Sequence, residues 1–243
     1  MAIELPKPAP GVPPYVDHLG SSREYWRDII LGVNDGLVSM FLLVAGVVGG
    51  ALDTRTVLLT AVAGAIAGAI SMGVGEYIAT KAQEEVFHGE VALEREHIKF
   101  HRKYELEELK EMFVETGLSG ELSEQVVAAY DQDDESLMKI MMALEFGFVD
   151  EYRRNPYVAM SVSGGLFLTG ASTSVIPFMF DVAPRTGLLW AGALSGVALF
   201  VVGAGKTFAT RGHWLRAGLE NLILATIGAG VSYFVGVWYQ ANF

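Results

Sequence analysis

The chain has 243 residues, 51% of them hydrophobic, a positive mean hydropathy and a formal charge of −11. Without cysteine it can have neither a disulfide framework nor a thiolate metal site, and its acidic balance excludes nucleic acid as a partner class. Continuous apolar runs of about twenty residues exclude a soluble domain and predict a multi-pass helical protein of the lipid bilayer.

Residues 1–20 carry Pro6, Pro8, Pro10, Pro13 and Pro14 and lack an apolar core. They are expected to be a mobile, extended lead-in and not a secretory signal. Ser21–Arg27 read as an amphipathic approach to the membrane, with Ser21 or Ser22 as helix cap and Trp26 at interface depth. Five apolar runs follow, about 29–50, 56–80, 157–180, 187–209 and 217–239. Each can cross a hydrocarbon layer of roughly 30 Å at about 1.5 Å per residue. The predicted fold is an all-α membrane protein of five transmembrane helices, with an acidic helical insert between the second and third. Residues 21–81 hold helices one and two, 82–151 the insert, and 152–243 helices three to five.

The first run contains Asp28-Ile-Ile-Leu-Gly-Val-Asn-Asp35-Gly36. An ionised carboxylate inside a lipid-spanning helix costs a few kcal/mol, so Asp35 is expected to face a cavity, a partner or a cation. Glu24 and Asp28 lie one turn apart below it; they line an entrance, or pair with Arg23 or Arg27 among the headgroups. The second run offers a small-residue face, Gly64-Ala-Ile-Ala-Gly68, then Met72 and Glu76 at i, i+4. A thioether in an apolar helix is usually filler, but beside a buried carboxylate it suits a late transition metal. Glu76 serves the same path or pairs with Lys81. These residues point to a metal path through a membrane.

The stretch from Gln83 to Glu151 holds 19 of the 28 acidic residues. Its pattern predicts three helices. The first continues the second span unbroken from Gly75 to about Thr116, the second covers about Ser119–Tyr130 with Ser119 as cap, and the third runs from Asp133 or Asp134 to about Asp150. On the first, Glu90, Glu94, His97, His101, Glu105, Glu108 and Glu115 fall within roughly an 80° arc. On the third, Met138, Met141, Met142 and Glu145 share a face. Such an arc is either a solvated acidic face or a cation site. The lack of basic partners within it, and the mix of carboxylate, imidazole and thioether, favour Fe²⁺, Mn²⁺, Co²⁺ or Zn²⁺.

The third span starts after Arg153-Arg154-Asn155-Pro156 and meets a kink signal at Pro177. Lys206 is expected to snorkel, Glu220 and Asn221 open the fifth span, and Trp238 and Tyr239 belong to an aromatic belt. With the N-terminus and insert in the cytoplasm, only Arg55 and Arg185 of the 17 basic residues fall outside, as the positive-inside rule requires. The C-terminus then lies on the opposite side.

The motif Arg27-Asp28-Ile-Ile-Leu-Gly-Val-Asn-Asp35-Gly36-Leu, the segment Ser71-Met72-Gly73 and the acidic insert resemble the vacuolar iron transporter family over most of residues 20–240. The resemblance implies a five-span homodimer, not an enzyme and without a resident cofactor. It would exchange cytoplasmic Fe²⁺, or Mn²⁺, Co²⁺ or Zn²⁺, for protons across a bacterial inner membrane or a vacuole-like organelle membrane. It implies intramembrane ligands Asp35 and Met72, entrance carboxylates Glu24 and Asp28, and insert ligands Glu94, Glu105, Glu108, Met141, Met142 and Glu145. Two departures from that pattern are Gly64, where such transporters carry a glutamate, and His97, where they carry another. The first removes proton coupling from this helix or moves it to Glu76; the second adds an imidazole ligand. A different class stays open. Glu85-Val-Phe-His88 and Glu94-Arg-Glu-His97 are Glu-x-x-His strings of the di-iron ferroxidase type, so the alternative is a membrane-tethered ferroxidase or metal-buffering protein.

Overall fold

The computed structural model describes residues 22–147, 154–207 and 212–243, with side chains from Asp28. Among the described residues every regular element is helical: α1 Ser22–Gly49, α2 Thr54–Phe100, α3 Arg102–Glu115, α4 Gly120–Tyr130, α5 Asp134–Glu145, α6 Pro156–Val175, α7 Pro184–Gly205 and α8 Trp214–Asn242. Among the described residues five helices are long and apolar enough to cross a membrane, and they contain the five predicted runs in large part. The 47 residues of α2 reach roughly 70 Å, over twice a hydrocarbon layer. Before Lys81 the helix carries only Arg55 and Glu76 as charged residues, and from Lys81 onward charges recur every few residues. At the end of α6, Pro177 lacks the N–H that would continue the helix. The chain tightens there into a 3₁₀ turn, Ile176–Phe180, closed by Asp181 in the left-handed region.

Two compact units form. One comprises the described residues up to Met72 together with Ser163–Phe243; the other is Gly73–Val162. In the first, glycines bring backbones into contact. A Cβ at Gly170 of α6 would strike the Val33 carbonyl oxygen of α1, and one at Gly236 of α8 would strike the Gly46 carbonyl oxygen. Between lipid-spanning helices such close approach replaces the hydrophobic drive that water would supply. Buried Met40, Val44, Val57, Ala61, Phe167 and Phe178 fill the core. Its hydroxyls are satisfied in sequence. Thr173 donates to the Gly170 carbonyl, so Ser195 donates to Thr173 at 2.9 Å and Ser174 to Ser195 at 3.1 Å. Gly236→Ala is expected to force α8 off α1 and lower stability by about 1–3 kcal/mol, seen as a lower melting temperature in detergent. Unchanged melting would mean the two helices have slack.

In the second unit, Ile98, Leu109, Val127, Leu137 and Met141 form a separate core. Here the predicted unbroken helix Gly75–Thr116 is corrected: α2 stops at Phe100, His101 takes φ −126° and ψ 21°, and α3 starts anew. The reason is tertiary. Leu109 joins Ile98 in the core, and Arg102 donates to Asp131 from Nε at 2.6 Å and to Asp134 from Nη1 at 2.5 Å. Ser119 and Asp133 cap α4 and α5 as their side chains suggest. Helix α5 ends at Glu145, short of the expected Asp150. Gly147 follows with φ +67°, and residues 148–153 lie outside the described residues.

Candidate metal centre

The break at His101 makes the centre. In a straight helix Glu94 and Glu105 would stand about 16 Å apart along the axis. Instead, one ligand atom from each of Glu94, His97 and Glu105 lies within 4.8 Å of the others. His97 Nδ1 is 3.3 Å from Glu105 Oε1 and 4.0 Å from Glu94 Oε2. Glu94 is 3% exposed and Glu105 5%, so neither belongs to a solvated face. Among the described residues, the one buried side-chain polar atom without a hydrogen-bond partner is Glu94 Oε1. A buried oxygen left unpaired costs free energy that a bound cation would recover.

The electrostatics agree with a site built for positive charge. Burial, then the carboxylates of Glu105, Glu145 and Glu108, push the Glu94 carboxyl up to about 7. Burial also raises Glu105, an effect opposed by His97, and it raises Glu145, which feels Glu108, Glu105 and Glu90. Three of the predicted insert ligands thus meet directly, and Glu108 and Glu145, both exposed, lie close enough to add their charge. Met141 is wholly buried in the apolar core and Met142 is 5% exposed.

A pH dependence follows with a definite sign. The folded Glu94 carboxyl holds its proton to about pH 7, whereas an ordinary glutamate releases it near 4.5. This contribution to stability is therefore complete below about pH 4.5 and is lost as pH rises through about 7, on the order of 3 kcal/mol. Thermal melts of metal-free protein are expected to fall across that window. Metal affinity should rise over the same range, with a proton released into the buffer that calorimetry in buffers of different ionisation enthalpy detects. Melting that rises with pH would mean Glu94 is ionised and paired.

The other predicted residues fall elsewhere. Asp35 is exposed on the surface of the single chain and accepts a hydrogen bond from Ser39 at 2.8 Å. Asp28 is 4% exposed on the same helix, and the Glu24 side chain lies outside the described residues. Met72 is half-buried against the core of the first unit. Gly64 faces Leu43 and Met40 of α1, so a larger residue there would have to displace Leu43. The expected Glu76–Lys81 pair does not form. Glu76 accepts from Arg154 at 3.5 Å, both less than a fifth exposed, while Lys81 pairs with Glu85. Nor does Glu85-Val-Phe-His88 close into a site: His88 approaches Glu84, at 3.9 Å. Arg102, which pins the fold-back, lies outside the arc of acids, and nothing local in the sequence marks it, because its partners Asp131 and Asp134 are about thirty residues away.

A family model described as the VIT family matches residues 26–237. "Vacuolar iron transporter 1" of Arabidopsis thaliana is 28% identical over 213 residues, covering 88% of this chain and 85% of that protein. The protein of the same name from Tulipa gesneriana is 28% identical over 208 residues, 85% of this chain and 84% of its own. "Protein CCC1" of Saccharomyces cerevisiae is 28% identical over 219 residues, covering 85% of this chain and 66% of the yeast protein.

Proposed function

The chain belongs to the vacuolar iron transporter (VIT) family, and from that premise we propose that it exports Fe²⁺, or a similar divalent transition metal, from the cytoplasm in exchange for protons. The observation that carries this reading is the buried Glu94–His97–Glu105 cluster with its orphaned oxygen. Two carboxylates and an imidazole suit Fe²⁺, Mn²⁺, Co²⁺ or Zn²⁺ better than Mg²⁺ or Ca²⁺. The insert, residues 82–151, captures the metal in the cytoplasm. Asp35 and Met72 receive it within the membrane, with Asp28, Glu24 and Glu76 along the approach.

Exchange for protons follows from competition. A carboxylate must be deprotonated to hold a metal, so a proton arriving at Asp35 from the far side expels the ion. The exposure of Asp35 on a single chain supports a homodimer. It sits on α1 with Leu31, 52% exposed, one turn before it and Leu43, 36% exposed, two turns after. A lone carboxylate among lipid-facing leucines costs about 2.5–3.5 kcal/mol, and a second copy packed on that face would enclose it.

The ferroxidase alternative is weakened by the open Glu85-x-x-His88 string and by α5, which offers no such string of its own. Proteoliposomes separate the two. The exporter reading expects ferrous iron to reach a trapped chelator under anaerobic conditions. Oxygen consumption with ferric product, and no ferrous iron inside, would overturn it.

A further inference from the structure

The second unit holds a groove of about 640 Å³ between α2, the start of α3 and α5. Its lining carries three basic side chains, Arg95, Lys99 and Arg102, against two acidic ones, Asp134 and Glu135, in an otherwise acidic insert. Of the six lysines and arginines between Gln83 and Gly147, four fall within Arg95–Lys103, where Glu96 is the lone acid. Arg95, Lys99 and Arg102 line the groove over an apolar floor of Ile98 and Met138. At about 100° per residue, Arg95 and Lys99 sit at least roughly 100° round the helix from Glu94 and His97, so the groove is separate from the metal centre.

Both acids of the lining are paired with a base. Asp134 accepts from Arg102 at 2.5 Å, and Glu135 from Lys139 at 2.9 Å. Among the described residues, Arg95 and Lys99 have no carboxylate within 4.0 Å; Lys99 lies 4.9 Å above the Phe100 ring. Two like charges at i, i+4 repel on a helix, and among the described residues no carboxylate is paired with either. Their spacing of about 5–6 Å between Cβ atoms lets one anion meet both, with the Arg95 guanidinium presenting the planar fork that pairs two oxygens at once.

The geometry points to a binding site for a small multivalent oxyanion, of the pyrophosphate or polycarboxylate class, held by Arg95 and Lys99 between α2 and α5. This goes beyond the transport reading and does not depend on it. Because α2 and α5 also carry Glu94, His97 and Glu145, an anion in the groove braces the helices that present metal ligands on their other faces.

The test uses the full chain, metal-free, in discs of neutral phosphatidylcholine, titrated calorimetrically with pyrophosphate and with citrate. Wild type is expected to bind at least one of them at millimolar concentration or below, more weakly as potassium chloride is added. The double variant R95Q/K99Q should lose about tenfold or more, which the loss of one charge-assisted hydrogen bond accounts for. K103Q, exposed and outside the groove, should bind as wild type, and matching melting curves would show all three intact. Absence of binding to either anion overturns the proposal, as does equal binding to R95Q/K99Q. Binding that appears only as docking to discs containing phosphatidic acid would assign the cations to a lipid surface and overturn it as well.

Discussion

Asp35→Asn is expected to lower the initial rate of metal flux in proteoliposomes by about a hundredfold or more, since even a group that only orients a ligand commonly costs 10–100-fold. The substitution keeps the side chain's size and removes its charge. Ser39 can still donate to the remaining oxygen, as it does now at 2.8 Å, so α1 has no structural reason to move. Close packing of α1 depends on Gly36 and on Gly170, where a Cβ would meet backbone, and neither contact involves the Asp35 side chain. A neutral amide between exposed leucines is cheaper in lipid than a carboxylate. The variant should therefore melt no lower than wild type while failing to carry metal. Flux within a factor of two of wild type would remove Asp35 from the path.

Glu94→Gln should produce two effects of opposite sign. The metal-free variant is expected to be more stable than wild type above about pH 7, by up to roughly 3 kcal/mol, because the buried charge that burial and Glu105 oppose is gone. The same change should abolish most of the metal-induced rise in melting temperature, since ligand-linked stabilisation disappears with affinity. A carboxylate kept for structure behaves in the reverse way: its loss destabilises the metal-free chain and leaves the metal response alone. That pairing of outcomes is what separates a cation ligand from a buried acid of the fold.

The two halves of the chain differed in how far they could be read. The spans were legible because lipid imposes one rule on twenty successive residues, and a run such as Val57–Ala69 obeys it without reference to the rest of the fold. Caps were legible for a similar reason: Ser119 and Asp133 act on amides three residues away. Glu94 and His97 are neighbours on one helical face, three residues apart. Glu105 was found by an arc drawn on a helix that does not exist. It reaches the cluster because α2 breaks at His101, and that break is held by Arg102 against Asp131 and Asp134, about thirty residues further on. Distant partners decided Glu76 too. Lys81 is five residues along, about 140° round the helix at about 100° per residue, and Arg154 takes the carboxylate. Local periodicity says which side chains share a face; it does not say where the helix carrying them will stop.

Conveyance itself is tested most directly by recording ferrous iron entry and lumenal pH together in proteoliposomes holding the full chain, with an acidic interior. Iron should enter only with the gradient imposed, the interior should become more alkaline as it does, and both signals should stop when the gradient is collapsed. Iron entry indifferent to the gradient, or alkalinisation without iron, would contradict exchange of metal for protons by this chain.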